Sequence, residues 1–476
     1  MGCVVAPCLL TGVTYGFIKF RLSQSGSKLP DELAKLRSMG VPTIATDLTP
    51  NPVVTDEDNA AFLYKEFNQK VKDILKARKM SASASVLASY GTVTSHPNDQ
   101  LHAIQDMKEI AEPLAILDRL IEKPRYYQPR DYTKGAGVLF PELAEMKTAA
   151  KLLGGRAKVQ WETGDLDGAR RSIALQFQIA RHLSEEPTII GALVCIAVNS
   201  IAFVTLDQYL EVIKNNPDAL AKTLKMLEER KFELDLRKGF YGEVVMGRYA
   251  IQQLKSWNDF SYGDNGEPTG WQKGLDRWTI GDPSVRKMLE WKFVSTWRGL
   301  FEKFPKDPTD WQSYDKVFSD LAFRLETDMS LENRLNQVMF PVFSQLGISY
   351  VQMRARQRLG ILATKLLLMR KTGLPPNLAG FGEIGIDPIT GLPMGYYSKG
   401  KGFKVWSVGQ NQVDDGGLKY ISGVTKTNSQ ESDIVLGYDI GFAKPIRVRV
   451  VRPALPRTGS GVPGGPESAG LAPSIP

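Results

Sequence analysis

The side chains able to do chemistry are few, and their spacing favours no reaction. The 476-residue chain holds three histidines, His96, His102 and His182, and three cysteines, Cys3, Cys8 and Cys195. Neither set is spaced as a zinc site or a disulfide framework, which excludes a multi-zinc protein and a disulfide-stapled scaffold. Gly380-Phe381-Gly382-Glu383-Ile384-Gly385 spells the dinucleotide pattern G-x-G-x-x-G, but a Pro-Pro-Asn turn precedes it and Asp387-Pro388 follows. A phosphate cradle needs a strand before the glycines and a helix after them, so the match is one of spelling only. There is no P-loop, nucleophile elbow or zinc-protease motif. What remains is a pair of adjacent aspartates, Asp414 and Asp415, with no basic residue between Lys404 and Lys419. Such carboxylates repel one another unless a cation joins them, although beside Gly416-Gly417 they also suit an ion-free turn.

The elements that must position these residues are mostly helices. With 42% hydrophobic and 24% charged residues, the composition is that of a globular chain of two or three domains. It excludes a polytopic membrane protein, a collagen-like fibre and a wholly disordered chain. Helical patterns dominate from Leu101 to about Met369, with consecutive apolar-periodic blocks at Ala149–Gly164, Leu166–Leu183 and Pro187–Leu210. Gly164 suits the position just past a helix, Asp165 an N-cap, and Pro187 a first helical turn. Beyond Gly373-Leu374-Pro375-Pro376 the period shortens, and strands are predicted at Met394–Tyr397, Gly402–Val408, Ile434–Leu436 and Ile446–Val451. The fold class is therefore mainly α, a helical-hairpin array, with a small C-terminal α+β module. The expected divisions are an anchor at 1–20, a helix and loop region at 21–100, the helical array at 101–350, the module at 351–452, and a tail at 453–476. That tail has six Pro, five Gly and three Ser from Pro453 onward, too little apolar surface to order itself.

The net charge is +8, and residues 351–404 carry nine basic residues against two acidic ones. Arg354, Arg358 and Lys365 fall on one face of a predicted helix. A solvated face or a patch for an acidic protein partner or anionic lipid follows, whereas no nucleic-acid-binding signature accompanies the charge. Six tryptophans crowd into 55 residues (Trp257, Trp271, Trp278, Trp291, Trp297 and Trp311), where they either pack loops onto helices or line a surface. In the second case a glycan-directed hydrolase becomes the alternative function, with Glu228, Glu229 or Glu233 as acid and base.

Residues 1–18 carry no charged side chain, long enough to span a bilayer as a membrane anchor. Lys19, Arg21 and Lys28 follow, which by charge alone keeps what comes next in the cytoplasm. Thr188–Leu206 is equally free of charge, but Asn199 and Ser200 interrupt it, so a buried central helix with Cys195 as an inert thiol is expected.

Two resemblances add to this. Trp161-Glu162-Thr163-Gly164-Asp165-Leu166-Asp167-Gly168-Ala169 looks like the helix–turn–helix joint of tetratricopeptide-type repeats, present once rather than at a sustained period. The second covers about Arg356 to Val451. A helix ends in Gly-x-x-Pro, and Asp387-Pro388 opens a strand start. Then come Phe403-Lys404-Val405-Trp406-Ser407-Val408-Gly409, Asp414-Asp415-Gly416-Gly417 and Ser432-Asp433-Ile434-Val435. This order resembles the soluble part of the major pseudopilins of type II secretion, and the C-terminal segment of uncharacterised envelope proteins of bacteria such as planctomycetes. A pseudopilin joins its apolar helix directly to the module, whereas here more than 300 residues intervene. The resemblance implies a calcium ion held by Asp414, Asp415 and Asp433, in keeping with the oxygen ligands that calcium takes. It further implies a non-enzymatic, membrane-anchored scaffold or partner-binding protein of the bacterial cell envelope, its bulk outside the cytoplasmic membrane.

Overall fold

Asp165 caps its helix as the spacing predicts, its carboxylate accepting the Gly168 N–H at 2.8 Å. Gly164 before it adopts φ +89°, a left-handed turn that costs a residue without Cβ little. Similar caps start the next two helices, Thr188 on the Gly191 N–H at 3.2 Å and Asn216 on that of Ala219 at 3.1 Å. The third block consequently starts at Ile189, which leaves Pro187 outside the helix rather than in its first turn.

The computed structural model describes residues 24–78, 86–91, 99–255, 281–305, 311–327, 346–409, 413–417 and 433–440. Residues 1–18, the anchor expected from sequence, lie outside these, as do the fourth predicted strand and the Pro/Gly/Ser tail. The helices are α1 (Leu29–Ser38), α2 (Ala61–Ala77), α3 (Val86–Tyr90), α4 (Asp99–Glu109), α5 (Ala111–Asp118), α6 (Pro141–Glu162), α7 (Leu166–Leu183) and α8 (Ile189–Ile213). After them come α9 (Pro217–Arg230), α10 (Leu236–Gly239), α11 (Tyr241–Gln253), α12 (Pro283–Lys303), α13 (Trp311–Thr327) and α14 (Leu346–Met369). The protein is mainly helical, with one small antiparallel sheet near its C-terminal end.

α6, α7 and α8 pack against one another as successive hairpins. The buried Gln176 of α7 ties all three together, its amide donating to Ala150 O at 2.8 Å and to the Thr205 hydroxyl at 3.2 Å. On another face of α6, Gly155 lets α3 approach so closely that a Cβ there would lie 1.8 Å from the Leu87 carbonyl oxygen. α8 is the centre of the array, touching α6, α7, α9 and α14. Val198, Leu206, Leu210 and Ile213 are almost or fully buried, each contributing about 1.5–3 kcal/mol from burial alone. Among the described residues it is the one helix long and apolar enough to cross a membrane by length and composition, and 61% of that apolar window is buried in the fold. Ile190, Leu193, Val204 and Val212 remain exposed on its outer side.

In the sheet, β1 (Gly395–Lys399), β2 (Gly402–Ser407) and β3 (Ile434–Tyr438) run in the order β1-β2-β3. Gly395 pairs with Trp406, and Phe403 with Tyr438. Side chains alternate across β2, so Phe403 and Val405 join α14 while Lys404 and Trp406 turn to the other face, where residues 414–417 cover them. Phe403, Val405, Leu436 and Tyr438 share one apolar cluster with Ala157, Trp161, Leu206, Leu359 and Leu362, so sheet and helical array have a common core.

Candidate functional site

Asp414, Asp415 and Asp433 do meet in the C-terminal loop. Gly416 and Gly417, both at positive φ near +70°, turn consecutive backbone amides inward. Asp433, 5% exposed, accepts the N–H of Gly417 at 2.9 Å and of Asp415 at 3.1 Å. Asp414 Oδ1 accepts the Trp406 indole N–H and the Gly416 N–H, both at 2.8 Å. Lys404, its ammonium 5.1 Å above the Trp406 ring, donates to the Gly416 carbonyl. Burial pushes the Asp433 carboxyl up to about 7, with Asp414 and Asp415 pushing the same way against the backbone amides. As placed, these carboxylates clasp backbone amides. Among the described residues no group of three or more His, Cys, Asp or Glu gathers as a metal ion requires. Residues 418–432 of the same loop lie outside the described residues.

A second clasp escaped sequence reasoning. Asp387, 2% exposed, accepts the Ile389 N–H at 2.8 Å, the Ser407 hydroxyl at 2.8 Å and the Val408 N–H at 2.9 Å. Asp387-Pro388 announces a turn, but nothing in the sequence points to Ser407, twenty residues on.

The basic residues that the sequence places on one face of α14 are paired with acids. Arg354 lies 3.6 Å from Glu233, Lys365 3.0 Å from Glu228, and Arg358 pairs with Glu383 while donating to Ile386 O at 2.8 Å. Arg370 pairs with Asp439 and donates to Lys401 O at 2.8 Å. Acids from α9, the segment after it and the segments flanking the sheet thus offset a local excess that looked free in the linear chain. Open positive charge sits elsewhere, in a groove of about 800 Å³ between α7 and α9. Arg170, Arg171, Lys222, Lys225 and Arg230 line it against Asp167 and Glu229. Asp167 is held by Arg170 at 3.0 Å and Lys222 at 3.1 Å, and the exposed Arg171 has, among the described residues, a backbone carbonyl at 3.5 Å and no carboxylate.

Of the carboxylates considered for a hydrolase, Glu228 and Glu233 carry the ion pairs given above, and Glu229 lies 3.8 Å from Lys225. Trp297 is buried against Phe240 and Phe293, whereas Trp257, Trp271 and Trp278 lie outside the described residues. His182, which suits a helix dipole by sequence, is instead fully buried. It accepts the Tyr64 hydroxyl at 2.8 Å and donates through Nε2 to Lys123 O at 2.7 Å, and burial pushes its pKa down to about 4. Cys195 is buried, its thiol 3.1 Å from Ala180 O and pushed well up by burial, so it is inert as a nucleophile. At the start of α8, Arg130 reaches the carboxylates of both Glu142 and Glu186, the latter at 3.1 Å, with all three side chains largely out of water.

No family model, curated protein or solved structure matches this chain.

Proposed function

We propose that this chain is a non-enzymatic, membrane-anchored scaffold of the bacterial cell envelope that binds an acidic protein partner in the groove between α7 and α9. The observation that carries this reading is the groove itself, five basic residues against two acidic ones on two packed helices. Fixed like charges on rigid walls steer an oppositely charged surface and set its register. The uncharged residues 1–18 supply the anchor, and the likeness of the C-terminal segment to pseudopilin modules supports a bulk outside the cytoplasmic membrane. In the same reading calcium binds the C-terminal loop through Asp414, Asp415 and Asp433, supported by the resemblance to pseudopilin modules and by Asp433 packing against the Asp414–Gly417 turn through the Asp415 N–H.

The test is cross-linking in envelope membranes followed by purification of the full chain, wild type against Arg171→Glu with Lys225→Glu. A partner retained by the wild type and lost from the double variant, with binding that weakens as salt rises, is the expected result. Identical retention by both proteins overturns the groove as a docking surface. For calcium, the wild type is expected to melt several degrees higher in the ion than in chelator, and Asp414→Ala to melt at one temperature in both. Coincident wild-type melts reject the ion.

A further inference from the structure

Where the groove ends, Arg230 also faces a second, enclosed space between α7, α8, α9 and α14. Its polar lining is Asn199, Arg230, Lys231, Arg356 and a glutamine, its walls include Phe177 and Phe203, and no acidic side chain takes part. Two of these groups are unexplained by the fold. Asn199 is fully buried, and neither its amide nitrogen nor its carbonyl oxygen has a hydrogen-bond partner. A buried carboxamide left unmade costs more than an apolar residue in its place, so its presence needs a reason. Arg356 is the other. Its guanidinium has the Ser200 hydroxyl at 3.4 Å and, among the described residues, no carboxylate. Arg356 is half-buried, and that burial holds its pKa down at about 10, the direction expected of a cation that lacks a counter-charge. The neighbouring helix positions Arg354 and Arg358 have acids within reach, so the shortage is local to this face of α14.

We infer that this recess is a binding site for a small monovalent anion, carboxylate or halide, held between the Arg356 guanidinium and the Asn199 amide. A water molecule would serve the carboxamide but leave the guanidinium uncompensated, whereas an anion accepts from both the Asn199 amide N–H and the guanidinium and supplies the missing counter-charge. A guanidinium presents paired donors in the geometry that a carboxylate accepts. The free space is small, about 20 Å³, which suits an ion no larger than formate and not a phosphate ester or a sugar. Arg230, spoken for by the Gln178 carbonyl, and the exposed Lys231 add long-range attraction at the mouth. The site does not depend on the partner reading of the outer groove and stands if that reading fails.

The experiment is thermal unfolding of the full chain in sodium formate and in sodium gluconate at matched ionic strength, gluconate being too large to enter. Formate is expected to raise Tm by several degrees in a saturable way, since a ligand that binds only the folded state stabilises it by mass action. Arg356→Met is expected to melt at one temperature in both salts, and in gluconate to match or exceed the wild type, because methionine replaces a stranded charge with apolar volume. Coincident wild-type curves in formate and gluconate overturn the site, and so does a formate effect that survives in Arg356→Met. Should that variant not fold, Asn199→Leu decides: a weakened formate effect supports the site, and an undiminished one overturns it.

Discussion

At the start of α8, the buried Arg130 lies between Glu142 and Glu186; one further helix, α11, brings Arg248 to within 2.7 Å of Glu290. Midway along α8 the half-buried Arg356 has a hydroxyl and, among the described residues, no carboxylate beside it. The two regions are alike in burial and opposite in charge balance. Desolvating an ion is expensive, and a fold recovers that expense only through a partner held in good geometry. A closed set of charges therefore marks a structural joint, whereas an open one marks a place where something else completes the set. The contrast separates architecture from binding better than any motif in the sequence does.

The largest effect expected of a single change lies on the closed side. Arg130→Met strands two buried carboxylates and should lose about 3–5 kcal/mol in urea unfolding. The same substitution at position 356 should cost almost nothing, and equal losses at the two sites would erase the contrast. A purely steric change sets the scale between them. Gly155→Ala forces a methyl group against the Leu87 carbonyl and should cost about 1–3 kcal/mol, measured in the same way.

Protonation sharpens the comparison further. His182 is neutral in the fold, with its pKa held near 4, so below the ordinary value of about 6.5 only the unfolded chain takes up the proton. Its contribution to stability is present above that value and is lost as pH falls towards 4, about 2 kcal/mol between pH 7 and pH 5. Glu243, pushed up to about 7 by burial, works in the opposite sense, since the unfolded carboxyl releases its proton near 4.5 while the folded one keeps it. Denaturant titrations across this range should therefore show His182→Gln less sensitive to acid than the wild type, and Glu243→Gln gaining on the wild type as pH rises towards 8. Parallel curves would mean that neither group is desolvated as its position implies. The smallest effect belongs to the partly exposed pair Lys365–Glu228, where Lys365→Ala should cost only about 0.2–1 kcal/mol and less in high salt.

Local signals were the legible ones. The joint at Gly164-Asp165, the span Leu166–Leu183 and the first three strands follow from caps, periodicity and turn residues that act within a few positions. Cys195 as a core thiol follows in the same way, from an uncharged run too interrupted to face lipid easily. What the sequence concealed depends on distant partners. The basic helix looks free until Glu228, Glu233 and Asp439 are brought to it, and His182 looks like a helix-end group suited to the dipole until Tyr64 arrives from 118 positions away. For the candidate sites the split is similar. Asp414, Asp415 and Asp433 could be picked out because two of them are adjacent and without a base. Asn199 and Arg356 could not, because being without a partner is a property of the packed molecule rather than of the chain.

The common core of sheet and helices also sets a timetable. Trp161 and Tyr438 belong to one apolar cluster, yet 277 positions separate them in the chain. A ribosome adding about 5–20 residues per second takes roughly 14–55 s to cover that distance. Once α9 is complete at Arg230, 208 positions, or roughly 10–42 s, remain during which the face that receives Phe403, Leu436 and Tyr438 stays uncovered. Through that part of its synthesis the growing chain carries an apolar face that only the last strands cover.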